Sequence, residues 1–215
     1  MSEKNQYSLY LFTNKIWYIM KLNLSWSLLS LPTIVWFFFM QFSLPLTLFH
    51  VFILSILMVV NLLPTTFALS KMIKNNSDGL PLLKTMFNYL KTNNLNYLKH
   101  STFWGIVLLL LLTYRVLFSA NAMLIGILDL LLVIYTIMLA IFAVTMAYQN
   151  KTMKYQLIDS LIISVTKGKM FLITLVMVIV SLIATIFIPF VPFVIAVALL
   201  LFILNKLYGH YLAED

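Results

Sequence analysis

Two charges stand alone in apolar surroundings, and they are the residues best placed to do chemistry. Arg115 and Asp129 are the only charges in the run from Thr102 to Tyr148. A charge at the centre of a membrane helix costs roughly 2.5–3.5 kcal/mol on an insertion scale, so it is normally partnered or used. The polar stretch Ser119–Ala120–Asn121 lies between the two. A turn there puts Arg115 about one helical turn before it and Asp129 about two turns after it. In an antiparallel hairpin their depths are then comparable, and the spacing predicts an ion pair. Functionally the pair would be a polar site or relay. Structurally it would fix the hairpin, and Arg115 could instead snorkel to headgroups. The structural reading is favoured, because pairing is the usual solution to burying charge.

A second group is neutral. Asn61, Pro64, Thr65 and Thr66 fall within an apolar segment. A proline inside a helix leaves backbone groups open, and Asn and Thr side chains can satisfy them or reach a neighbouring helix. This predicts a polar kink and packing seam, with a substrate groove as the alternative. His50, His100 and His210 lie in separate segments without ligand spacing, so no metal is expected. There is no Cys, no phosphate-binding Gly-rich loop with Lys and Ser/Thr, and no nucleophile elbow. No cofactor and no enzymatic activity are expected.

The elements that must position these residues follow from composition. The 215 residues are 63% hydrophobic and 9% charged, with a mean hydropathy of +1.03. A soluble chain has no means of hiding so much apolar surface. Each crossing of a hydrocarbon core needs roughly 20 apolar residues. The apolar runs are continuous rather than alternating, which favours helices over a β-barrel. The fold class predicted is an all-α, polytopic transmembrane bundle with about six spans in three hairpins, over residues 22–40, 46–70, 102–118, 123–147, 170–187 and 193–208. Five spans is the fallback, because Pro189 and Pro192 interrupt the last apolar block. Gln41, Ser43 and Pro45 mark the first turn. The N-terminal segment lacks a cleaved-signal pattern, so the first span is taken as retained.

Two basic stretches, 71–101 and 149–169, separate the hairpins. Within the first, Leu80 to Lys99 has Leu83, Met86, Phe87, Leu90, Tyr97 and Leu98 on one face and Lys84, Asn88, Lys91, Thr92 and Lys99 on the other, which predicts an interfacial amphipathic helix. Lys84, Phe87, Lys91 and Lys99 are its candidate contacts to a partner or to headgroups. In the second, Leu157, Leu161, Ile162 and Val165 keep helical spacing, with Gly168 as the expected C-terminal cap. Trp17, Trp26 and Trp104 near span ends suggest an aromatic belt, and the twelve Met residues read as apolar filler.

Six spans put 13 of the 14 basic residues on one side, Arg115 being the exception. The positive-inside rule makes that side cytoplasmic, with both termini on it. The net charge of +8 is then a property of membrane-facing loops, and no nucleic-acid partner is expected.

Four segments resemble the YesL family of small bacterial membrane proteins: Leu22–Asn23–Leu24–Ser25–Trp26 running to Leu31–Pro32, Leu63–Pro64–Thr65–Thr66–Phe67–Ala68–Leu69, Phe87–Asn88–Tyr89–Leu90–Lys91–Thr92–Asn93, and Ile188–Pro189 to Leu204. Thr65 stands where the family pattern has a small Ala. The resemblance implies a bacterial plasma-membrane protein encoded near carbohydrate importers of the ATP-binding-cassette type, and brings no catalytic residues. It leads to the expectation of an accessory or regulatory subunit that contacts the importer's permease or ATPase, besides membrane lipids. A small secondary transporter or channel, or a membrane assembly factor, are the alternatives. The Glu-Ala-Ala…Gly signature of a standard importer permease is absent.

Overall fold

The computed structural model describes residues 3–42, 47–75, 82–149, 151–187 and 196–214, and these are helical except at short turns, with no strand among them. The helices are α1 (Glu3–Leu29), α2 (Leu31–Phe42), α3 (Leu48–Leu57), a π-helical turn (Met58–Leu62), α4 (Leu63–Lys74), α5 (Leu82–Leu117), α6 (Ala122–Tyr148), α7 (Met153–Thr166), α8 (Gly168–Phe187) and α9 (Val197–Glu214).

Among the described residues, three helices are long and apolar enough to cross a membrane: Leu48–Lys74, Leu82–Leu117 and Ala122–Tyr148. Up to five crossings result if two bent pairs each count as one. The described residues thus carry three to five candidate crossings. The segment expected to cross at 22–40 is interrupted at Ser30, where its two helices meet at 74°. Pro32 is the cause. It has no N–H for the carbonyl of Leu28, and its ring crowds that carbonyl. The last helix, over Val197–Ala213, is a shorter apolar one. Pro189 and Pro192, like Ser43 and Pro45, lie outside the described residues.

The helix expected to lie in the interface over residues 80–99 is set apart only in its first part. α5 consists of two helical stretches that meet at a kink at Asn93 (φ −115°, ψ 17°), so residues 82–92 form a stretch of their own while 94–99 run on into the third span. Tyr97, His100, Ser101 and Trp104 are all buried within about three turns after the kink. These core contacts hold the stretch after the kink, Lys99 included, against the bundle. The amphipathic stripe is only partly used: Met86 and Tyr97 enter the core, while Leu83 and Phe87 at its edge stay exposed.

The second basic stretch forms α7, which meets α8 at 90°. Gly168 does not cap it. Lys167 takes the C-cap position and Gly168 opens α8. The sidedness of α7 is inverted for a soluble helix: Gln156 and Ser160 are buried, while Tyr155, Ile158, Leu161, Ile162 and Val165 face outward.

The core is built around α4 and α6. Phe67, Leu69 and Met72 from α4 and Phe142 from α6 are fully buried, joined by Leu22 of α1, Met170 of α8 and Leu201 and Leu204 of α9. Trp26 and Trp104 belong to this core rather than to an aromatic belt, whereas Trp17 is exposed. Outside the core the surface is itself apolar, with Phe49, Phe52, Ile106, Leu110, Leu130, Leu172 and Val176 among the exposed side chains. Helices apolar on every side are compatible with lipid surroundings, and a water-exposed surface of this kind would be an association liability.

Candidate functional site

The strongest polar constellation sits where the bend at Ser30 faces the π turn. Each irregularity frees backbone groups. At the bend, the Thr33 N–H donates to Ser30 O (3.0 Å), three residues back. It would normally donate to Leu29 O, which is left open. On the other helix Pro64 has no N–H, and the turn before it widens until the Leu63 N–H reaches Met58 O, five residues back.

Asn61, inside that widened turn, closes the gap. Its Nδ2 donates to Leu29 O (2.7 Å), and its Oδ1 accepts from the Thr33 hydroxyl (2.9 Å). The Thr65 hydroxyl donates back to Leu62 O (2.8 Å) and pairs with the Ser30 hydroxyl (2.6 Å). Thr66 donates to Leu62 O (2.8 Å) and accepts from Trp26 Nε1 (3.1 Å). Farther along, Trp36 Nε1 donates to His50 O (3.3 Å). The contacts run in antiparallel register from Trp26–Thr66 to Trp36–His50. An apolar crevice of about 400 Å³ adjoins the seam, with Trp26, Thr33, Thr66 and Tyr135 in its wall.

The predicted polar kink residues thus meet in one network. Sequence reasoning missed their partners on the first helix, Ser30 and Thr33, although Pro32 beside them was the available signal. It also missed Gly105. A Cβ there would overlap Val59 Cγ2 in the π turn, so the glycine makes room for the widened helix.

Arg115 and Asp129 come together at the far end of α5 and α6. Arg115 Nε lies 2.6 Å from Asp129 Oδ1, with the two side chains 39% and 47% exposed. Asn121 caps α6 between them, accepting from the N–H groups of Met123 and Leu124 (both 3.1 Å). Deeper in the same pair of helices, the Tyr135 hydroxyl donates to Trp104 O (3.0 Å). The other ion pair among the described residues, Lys151–Asp159, involves neither Arg115 nor Asp129, and the two are separate from the Asn61 seam.

The other predicted residues are dispersed. Lys84, Phe87 and Lys91 are exposed on α5 before Asn93. Lys99 lines a different feature, a cavity of about 430 Å³ shared with Lys71, Lys151, Tyr97, His100 and Gln156. Tyr97 Oη, His100 Nδ1 and Gln156 Oε1 have no hydrogen-bond partner among the described residues. His100 packs edge-on to Phe142. His50 instead completes a capping box with Thr47 at the start of α3. His210 is exposed on α9. Among the described residues, no three of His, Asp and Glu cluster as metal ligands would.

Two further buried amides tie α9 in place. Asn23 Oδ1 accepts from the Ala198 N–H (2.8 Å) at the start of α9, and Asn205 Nδ2 donates to Leu201 O (2.8 Å) and to the Ser70 hydroxyl (3.2 Å). No family model, no curated protein and no solved structure matches this chain.

Proposed function

We propose that this chain is a multi-pass protein of a bacterial plasma membrane, with both termini cytoplasmic, that serves as an accessory or regulatory subunit of a carbohydrate importer of the ATP-binding-cassette type. The likeness to the YesL family supplies the biological context. One structural observation supports a docking role over a catalytic one. The Lys-rich half of α5 extends past the membrane-length part of the helix and keeps Leu83, Phe87 and Leu95 exposed beside Lys84 and Lys91. Apolar anchors ringed by cations are suited to a partner's surface or to headgroups. The polar groups of the seam, by contrast, largely satisfy one another, as a scaffold requires.

The importer reading is tested by affinity purification of the tagged full-length chain from native membranes in mild detergent. Importer permease or ATPase subunits should co-purify, and Phe87→Ala with Leu95→Ala should release them. Recovery of the chain without any transporter subunit would refute it. The orientation has its own test. The chain has no Cys, so Asn76→Cys and Ser119→Cys report unambiguously. Impermeant thiol reagents should reach Ser119→Cys on intact cells, and Asn76→Cys only after permeabilisation.

A small secondary transporter is the second reading, favoured by one feature. A broken helix and a π turn face each other beside a crevice, and interrupted helices are how many transporters build central sites. Solute flux into proteoliposomes containing only this chain would decide for it.

A further inference from the structure

Four lysines from three distant parts of the chain converge on one cavity. Lys15 and Lys21 come from α1, Lys74 from the last turn of α4 and Lys206 from α9, and together they line a space of about 800 Å³. No Asp or Glu among the described residues lines it. The ion pairs among the described residues, Arg115–Asp129 and Lys151–Asp159, involve none of the four.

Three of the ammonium groups rest on aromatic faces. Lys21 Nζ is 5.2 Å from the centre of the Trp17 ring, Lys74 Nζ is 4.9 Å from Tyr148, and Lys206 Nζ is 5.0 Å from Phe202. Lys74 also donates to Ala147 O (3.2 Å). Aromatic faces hold a cation in place without neutralising it. Leu11, Ile73 and Leu82 complete an apolar side to the same wall.

We propose that this cavity binds the two phosphates of a diphosphatidyl phospholipid headgroup. Lysines are point-charge donors well suited to phosphate oxygens. The apolar side of the wall suits the glycerol and the first methylenes of the acyl chains. Basic pockets between membrane helices near the cytoplasmic face are a recurring site for polyanionic headgroups. A solvated lysine face, the ordinary consequence of positive-inside sorting, needs neither convergence from α1, α4 and α9 nor aromatic seats beneath the cations. The same phosphate chemistry is available from a soluble diphosphate, and the apolar wall favours the lipid. The proposal rests on the membrane placement and is independent of any transporter partner.

Native mass spectrometry of the delipidated full-length protein in mild detergent tests it, with diphosphatidylglycerol, phosphatidylethanolamine and inorganic pyrophosphate as separate probes. One diphosphatidylglycerol should be retained per chain, at least tenfold over phosphatidylethanolamine. Lys74→Gln with Lys206→Gln should reduce retention about tenfold, Lys74→Arg with Lys206→Arg should preserve it, and Lys154→Gln with Lys169→Gln, two exposed lysines outside the cavity, should leave it unchanged. Absence of lipid preference in the wild type overturns the proposal whatever the variants do. So does unchanged retention when all four lysines become Gln, and pyrophosphate binding as tight as the lipid overturns the lipid assignment. Failure of the membrane placement would appear separately, as release of the chain from membranes by alkaline carbonate.

Discussion

The Asn61 side-chain amide donates to the backbone carbonyl of Leu29 over 2.7 Å, across 32 residues of chain. That carbonyl is open because of Pro32, and Asn61 sits in a turn widened just ahead of Pro64. A side chain from one proline-disturbed helix therefore satisfies a backbone group opened by a proline-induced bend in its neighbour.

Asn61→Leu should destabilise the protein by about 1–2 kcal/mol. Single hydrogen bonds between membrane helices average only about 0.6 kcal/mol, but this residue serves both Leu29 O and the Thr33 hydroxyl. Unfolding by denaturing detergent in mixed micelles measures the loss. The effects of Asn61→Leu and Thr33→Val should be sub-additive in a double-mutant cycle. Strict additivity would mean that the two side chains do not act together.

Reversing either charge, Arg115→Asp or Asp129→Arg, sets like charges side by side. Each single reversal should lower the amount of folded protein in the membrane severalfold, since an unpaired charge in a span costs roughly 2.5–3.5 kcal/mol on insertion scales. The double reversal should restore most of it. Quantitative blotting of membrane fractions reads the outcome, and a double variant no better than the singles would show that the ion pair is not what matters.

Gly105→Ala places a methyl group against Val59 Cγ2. Val59 is β-branched and stiff, so the neighbouring helix must shift. The expected cost is about 1–3 kcal/mol, in the range of overpacked cores. Gly126→Ala is the control. Its added methyl meets nothing within 4 Å, so the change should be neutral or slightly stabilising. Equal melting temperatures for the two variants would contradict the close approach of α5 to the π turn.

Asn23→Ala removes the acceptor for the Ala198 N–H. Loss of a helix N-terminal partner typically costs about 1 kcal/mol. The effect should be local, so limited proteolysis should detect earlier cleavage around the start of α9, with the rest of the chain protected. Unchanged proteolysis there would mean that the bond does not hold α9.

What the sequence determined by itself is what depends on composition and local spacing. All-helical structure follows from long continuous apolar runs. The turn near Asn121 was legible because a short polar stretch between apolar blocks has few other uses. The Arg115–Asp129 approach could be anticipated from the same turn, since its length sets the register of the two helices it joins. The tertiary structure decided whatever depends on which helix lies beside which. Residues 80–99 have the pattern of one interfacial helix, and only the kink at Asn93 and the burial of Tyr97, His100, Ser101 and Trp104 after it show that its last turns belong with the third span. Trp26 and Trp104 are core residues for the same reason: position along a span does not say which way a ring faces. Asn61, Thr65 and Thr66 could be singled out as polar groups in an apolar run, but not their partners, because Leu29 O becomes an acceptor only once Pro32 bends the first helix against the second. The convergence of Lys15, Lys21, Lys74 and Lys206 had no trace in local sequence at all. It exists because α1, α4 and α9 pack together, and a packing contact between the two ends of a chain is written in no periodicity.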